Sequence, residues 1–235
     1  MTMNSESKKP PGADGDFLPI FLDMRSRKVV IFGGGQVATR KARFFAGHAR
    51  VTVVSMDFSR GLKELEMDGT VELVVQDLSS GAEQYLEGAF IAIPATSDRD
   101  LNVSLGEAAS RRGVLVDTVD GAGDLIIPSL IRRGPVNVAI STQGESPALS
   151  RYLRMKLEAD LPPESALMAR LISGLREELK LSVSSQKERK AILWSVLLDQ
   201  EVWRLLPSSY EKAYMRAREH LSPDERNSLD AGDPP

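Results

Sequence analysis

Gly33-Gly34-Gly35-Gln36-Val37-Ala38 has the G-x-G-x-x-A spacing with which a backbone holds a pyrophosphate. The first glycine of such a turn allows a sharp exit from a strand, and the second lets a phosphate approach the main chain. The small last residue lets a helix pack closely on its sheet. Behind the turn, a helix N-terminus presents unsatisfied N–H groups and partial positive charge. Gly33, Gly35, Gln36, Val37 and Ala38 are therefore candidate cofactor contacts. The motif carries this meaning only between a buried strand and a helix.

Other residues could complete such a site. A carboxylate roughly 20 positions beyond the glycines commonly takes a ribose hydroxyl. Here the second strand ends Val54-Ser55-Met56-Asp57, which makes Met56 and Asp57 candidates. Asp57 binds a ribose if its loop curls back, and is otherwise a solvated loop carboxylate. No arginine stands at the strand tip, although Arg60 is near, so NAD is favoured over NADP. Thr96, in Pro94-Ala95-Thr96, would face the same crevice. Asp117 and Asp120 lie at or just beyond a fifth strand, where open α/β sheets place their ligands. A carboxylate there could move a proton, especially if burial raises its pKa, or could cap the next turn.

Arg132, Arg133, Arg151, Arg154 and Lys156 suggest either a polyacid-binding surface or a solvated helix face. His48 and His220 are far apart, have no ligand partner at helical spacing and read as surface residues. Ser146 lacks a nucleophile-elbow pattern and reads as a helix cap before Pro147.

The elements that must position these groups follow from hydrophobic pattern. Lys28-Val29-Val30-Ile31-Phe32 reads as a strand buried on both faces, running directly into the glycine turn. A helix follows, ended by Gly47, and Val51–Ser55 forms the next strand, completing a βαβ unit. Further strands are predicted at 71–75, 90–93 and 114–119, with a helix over 98–112 before the last. This alternation predicts an α/β fold, a Rossmann-type parallel sheet. After Asp120 the pattern changes to two strands, 125–131 and 136–141, joined by the turn Arg132-Arg133-Gly134-Pro135. A helix opens at Ser146-Pro147, and 164–221 reads as helical throughout, with Leu167, Leu171, Leu175 and Leu179 on one face.

This gives an organisation of a disordered N-terminus at 1–16, an NAD-binding Rossmann domain at 17–124 and a small β dimerisation element at 125–162. A C-terminal helical domain at 163–226 and a flexible tail at 227–235 complete it. The formal net charge of -3 argues against nucleic acid as the main partner. The absence of cysteine removes disulfides, thiolate nucleophiles and cysteine-bound zinc, and fits the cytoplasm. Neither a signal peptide nor an apolar run of membrane-spanning length is present.

With these motifs in order, the chain resembles the precorrin-2 dehydrogenase module, found alone or as the N-terminal part of siroheme synthases. The resemblance rests on Leu18-Pro19-Ile20-Phe21, Val30–Ala42, Pro94–Asp98, Val116–Asp120, Ile127-Pro128-Ser129 and Val138–Ala148, together covering roughly 17–160. It implies a Rossmann domain, a dimerisation element and a helical domain in a homodimer. It also implies NAD as hydride acceptor, precorrin-2 as substrate and sirohydrochlorin as product, within porphyrin and siroheme biosynthesis. The family's acid–base aspartate follows the fifth strand, and the resemblance places it at Asp120. Some members also insert ferrous iron, so a bifunctional dehydrogenase and ferrochelatase is the alternative.

Val54 and Thr142 depart from residues common in relatives. No methyltransferase domain follows, so precorrin-2 is expected to come from another protein. From other classes, an NAD-sensing regulatory module and a methyltransferase using S-adenosylmethionine also fit a glycine turn after a first strand.

Overall fold

Val29, Val30, Ile31 and Phe32 are fully buried, as the residues of a central strand must be. In the computed structural model, which describes residues 17–118 and 123–221, they belong to β1 (Lys28–Phe32). β1 lies in the middle of a five-stranded parallel sheet with β2 (Arg50–Ser55), β3 (Glu72–Val75), β4 (Ala89–Pro94) and β5 (Leu115–Val116). The strand order is β3-β2-β1-β4-β5. The chain therefore builds outward from β1 on one side, then returns to build on the other. The reversal opens a crevice beyond the C-terminal ends of β1 and β4, the usual ligand position in such sheets.

Alternation along the strands divides the core between two faces. Val29, Ile31, Val51, Val53, Ile91 and Ile93 pack with Ala38, Ala42 and Phe45 of α1 (Gln36–Phe45). Val30, Phe32, Val54, Ala92 and Val116 pack with Leu105, Ala108 and Ala109 of α3 (Arg99–Arg111). Each fully buried aliphatic side chain contributes roughly 1.5–3 kcal/mol, so the sheet fixes the frame and its loops have little freedom at their roots. α1 closes at Ala46, and Gly47 beyond it takes a left-handed φ of +75°, as expected. Asp98 caps α3 by accepting from Leu101 N at 3.0 Å.

The helix α2 (Arg60–Met67) had no counterpart in the sequence pattern. Leu62 is its one fully buried residue, too few for a visible period. Its start is marked by Ser59, whose Oγ accepts from Leu62 N.

Two strand boundaries differ from expectation. β5 holds two residues rather than the 114–119 predicted. Asp124 explains why: its Oδ2 accepts from Val116 N at 2.9 Å, and its own N–H donates to Val116 O at 2.8 Å. A returning segment thus covers the sheet edge. The strand expected at 125–131 begins only at Ser129. Leu125 and Ile127 pack instead on the α1 side of the parallel sheet, and Pro128 has no N–H to give a ladder.

The described residues divide into two compact units. One runs through Ile127 and includes Thr142–Ser146; the other comprises Pro128–Ser141 and the chain from Pro147. In the second unit β6 (Ser129–Arg133) pairs antiparallel with β7 (Val136–Ile140). Gly134-Pro135 alone makes the turn, so Arg132 and Arg133 lie in the strand rather than in the loop expected for them. α4 (Pro147–Asp160) begins at the proline.

Four helices follow: α5 (Ser165–Ser182), α6 (Gln186–Leu198), α7 (Gln200–Leu205) and α8 (Tyr210–Arg218). The predicted stripe on α5 holds, with Leu171, Leu175 and Leu179 fully buried. The helical run is broken where Ser185, Asp199 and Ser209 cap the next helices by accepting from Glu188, Glu201 and Lys212 N–H groups. No helix among the described residues is long and apolar enough to cross a membrane.

His220 departs from the surface reading. Its ring lies 2.8 Å from Ser195 Oγ on α6 and 2.9 Å from Asp199 Oδ2. Arg216 Nε also donates to Asp199 Oδ2, at 2.8 Å. Burial alone would raise the Asp199 pKa, but His220, the Glu201 N–H and Arg216 outweigh it and bring it to about 2. A carboxylate depressed in the folded state adds stability above its unfolded pKa and loses it as pH falls through the folded value. Asp199→Ala should cost about 2 kcal/mol or more through the lost cap and charged partners. Chemical denaturation should also show less stability loss in the variant than in wild type between about pH 4 and about pH 2.

Candidate active site

Three strand ends meet at the crest of the sheet because two glycines have no β-carbon. Gly33 N donates to Val54 O at 2.9 Å, and Ala95 N donates to Phe32 O at 2.8 Å, extending the ladder past β1. Gly33 adopts φ +114°, and a β-carbon there would lie 2.5 Å from Ala95 O. At Gly34 a β-carbon would lie 1.7 Å from Asp57 O, inside any permissible contact. Gly34 O also accepts from Ser59 N at 2.8 Å. The G-x-G pattern leaves Gly34 as an unspecified position, whereas the geometry makes it obligatory.

Gly35 is different. A β-carbon there would meet nothing within 4 Å. It stands at the N-cap of α1, and no side chain caps that helix. Its carbonyl accepts from Thr39 N and Thr39 Oγ1, while the N–H groups of the first turn, at Gln36, Val37 and Ala38, belong to a helix end that needs an external acceptor. Ala38 is fully buried against the sheet. An open glycine before an uncapped N-terminus fits a dinucleotide pyrophosphate in shape and polarity.

Met56 and Asp57 are exposed at the tip of β2. The contact with Gly34 brings the Asp57 backbone beside the glycine turn, as ribose recognition requires. Thr39 Oγ1 and Ser59 Oγ, 2.6 Å apart, link α1 to the start of α2. Arg60 points to Glu64, with Nε donating to Oε1 at 2.9 Å. Thr96 lies beyond β4, where its N–H and hydroxyl both reach Asn102 Oδ1, at 3.0 and 2.8 Å, and Asn102 Nδ2 donates to Thr96 O. Asn102, unremarked in the sequence, clamps this turn from the first turns of α3. An asparagine four residues after an N-cap aspartate was the available signal.

At the end of β5, Asp117 is buried and its Oδ2 accepts from Lys41 Nζ at 2.6 Å. The two side chains retain 4% and 14% of their exposure respectively. Burial raises the Asp117 pKa above the ordinary carboxylate value; the Lys41 hydrogen bond and charge, with Arg40 adding to them, oppose that rise without cancelling it. Carboxylates perturbed by burial and a specific charged partner cluster at functional sites. Asp120 lies outside the described residues. Of the cationic cluster, Arg133 and Arg154 both pair with Glu158, and Lys156 lies over the Tyr152 ring.

These features define a dinucleotide-binding protein with a buried carboxylate at the sheet's fifth strand. A family model described as "Putative NAD(P)-binding" matches residues 20–129. A precorrin-2 dehydrogenase from Methanosarcina barkeri is 46% identical over 206 residues, spanning 86% of this chain and 92% of the relative. The chain belongs to the precorrin-2 dehydrogenase family. A siroheme synthase from Pectobacterium atrosepticum is 38% identical over 179 residues, 74% of this chain and 36% of that protein. A siroheme synthase from Salmonella typhi is 37% identical over 210 residues, 88% of this chain and 45% of that protein. The chain thus spans less than half of either synthase. Among solved structures, one titled "SirC, precorrin-2 dehydrogenase" matches with a TM-score of 0.68 at 24% identity, covering 86% of this chain and all of that one. At that identity the likeness is one of fold.

Gly34→Ala should weaken NAD binding at least tenfold in a calorimetric titration, because either Asp57 or the glycine turn must move. Gly35→Ala should keep the fold, as its methyl meets no protein atom, yet weaken NAD by obstructing the open face. A Gly34→Ala protein that binds NAD as wild type would contradict the close packing at the crest.

Proposed function

We propose that this chain oxidises precorrin-2 to sirohydrochlorin with NAD, in the cytoplasm, as a step of siroheme synthesis. The observation that carries this reading is the open, uncapped glycine turn on the same sheet as a buried carboxylate, in a chain 46% identical to a precorrin-2 dehydrogenase. Gly33, Gly35, Gln36, Val37 and Ala38 hold the pyrophosphate through main-chain N–H groups. Met56 and Asp57 border the adenosine ribose, and Thr96 lines the turn beyond β4. Bound there, NAD supplies the hydride acceptor. A C–H bond of the substrate is cleaved with its electron pair, and a second hydrogen leaves as a proton, so two electrons and two protons leave the tetrapyrrole in all.

The family resemblance assigns the proton to Asp120. Asp117, buried against Lys41 at the end of β5, is the alternative. Asp117→Asn and Asp120→Asn separate the two readings. Following tetrapyrrole absorbance with NAD and freshly generated precorrin-2, loss of at least a hundredfold in kcat should accompany Asp120→Asn, with NAD affinity retained. A hundredfold loss confined to Asp117→Asn would move the role to that residue. No NAD-dependent oxidation by the wild type would leave a nucleotide-binding module. Ferrous iron added after oxidation tests the chelatase alternative: siroheme must form faster with the protein than without it.

The second unit supports a homodimer. On α4, Leu149, Tyr152, Leu153, Met155 and Leu157 are all exposed, and Ser150 is its one buried residue. Large apolar side chains exposed along one helix mark an interaction surface. Light scattering should give twice the chain mass, and Leu153→Glu should shift the protein towards monomer while NAD binding persists.

A further inference from the structure

Asparagine is a poor helix former, because its side chain competes for main-chain hydrogen bonds, yet Asn102 lies near the start of α3. Capping does not explain it, since Asp98 already caps the helix by accepting from Leu101 N. Side chains on a helix lean towards its N-terminus, and Asn102 leans back onto the turn that follows β4. There its Oδ1 accepts from the Thr96 N–H at 3.0 Å and from the Thr96 hydroxyl at 2.8 Å, while its Nδ2 donates to Thr96 O at 3.0 Å. Thr96 Oγ1 also accepts from Asp98 N at 3.1 Å. Every polar group of Thr96 thus has a partner inside the protein. Thr96 shapes the turn rather than offering those groups outward.

The opposite side of the same turn is tied to β1. Ala95 N donates to Phe32 O at 2.8 Å. Ala95 O and Thr96 N lie against Gly33, where a β-carbon would come within 2.5 and 3.1 Å of them. The turn after β4 is therefore held between the glycine turn and α3, beside the helix end that receives the pyrophosphate. A dinucleotide lies across the point where the strand order reverses, between β1 and β4. With its adenosine half over β2, beside Met56 and Asp57, its nicotinamide half must cross the turn after β4.

We propose that Asn102 is a positioning residue for the cofactor: through Thr96 it fixes the wall against which the nicotinamide half of NAD lies. This rests on the reading of the chain as an NAD-dependent dehydrogenase with the adenosine half over β2. Asn102 touches neither cofactor nor substrate in this role. It sets the place of the nicotinamide ring relative to the substrate, and a misplacement of about 1 Å at a reacting centre costs up to about a hundredfold in rate.

Calorimetric titration of Asn102→Ala with NAD and with ADP tests this, because ADP carries the adenosine half and the pyrophosphate but no nicotinamide. NAD affinity should fall by about fivefold or more while ADP affinity stays within about twofold, and kcat for precorrin-2 oxidation should fall by about tenfold or more. Asn102→Asp keeps an acceptor facing the Thr96 N–H and hydroxyl, and should recover most of the lost NAD affinity. A merely structural asparagine would lower thermal stability and leave the ratio of NAD to ADP affinity unchanged. If Asn102→Ala does not fold, Asn102→Gln keeps the amide but displaces it by one methylene, and should show the same NAD-selective loss. Equal losses for the two ligands, or no loss in a folded variant, overturn the inference. A wild type that binds NAD without oxidising precorrin-2 overturns the dehydrogenase reading instead, and the affinity ratio still decides the role of Asn102.

Discussion

The site depends on a steric constraint: at the crest of the sheet, main chain packs against main chain with no side chain between. Gly33 rests on the carbonyl of Ala95 and Gly34 on the carbonyl of Asp57, each closer than a β-carbon would allow. Hydrogen bonds from Gly33 to Val54 and from Ala95 to Phe32 hold that convergence. The loops after β1, β2 and β4 are consequently one surface. Because their roots are buried strands, the helix end at Gly35 is presented in a fixed direction, which is what pyrophosphate recognition by main-chain N–H groups requires.

Electrostatics take over at the fifth strand. Two opposing effects act on Asp117, and burial is the larger. A surface carboxylate beside a lysine would simply be ionised, and a buried carboxylate alone would stay protonated. The same two ingredients occur around Asp199 in the helical unit, where three donors win and the pKa falls. There the result is a fastening between helices. Asp199 is much less deeply buried than Asp117, so its donors prevail where those of Asp117 do not.

Much of this was legible in the chain. Strands buried on both faces announce themselves as runs such as Val29-Val30-Ile31-Phe32, and the glycine turn between such a strand and a helix has few other meanings. What escaped had weak local signals. α2 buries one full side chain, too few to set a period. β5 was overextended because Val114-Leu115-Val116-Asp117-Thr118-Val119 is rich in β-branched residues, while its edge is in fact covered by Asp124, a contact no hydrophobic pattern encodes. The breaks among α6, α7 and α8 were present as capping residues at Ser185, Asp199 and Ser209, but the continuous helical composition around them obscured them. Lys41 belonged to a visible motif, yet its partner lay 76 residues away, beyond the reach of any spacing rule. The pairing is a property of the sheet order.

The chain passes between its two units after Ile127, again after Ser141, and once more after Ser146. The turn at Thr142–Ser146, in which Glu145 N donates to Thr142 O and Ser146 N to Thr142 Oγ1, is therefore a short excursion into the nucleotide-binding unit from within the other one. Neither unit is a continuous stretch of polypeptide. A fragment ending near residue 127 would lack part of its own fold, and a single nick in the backbone would not release one unit from the other.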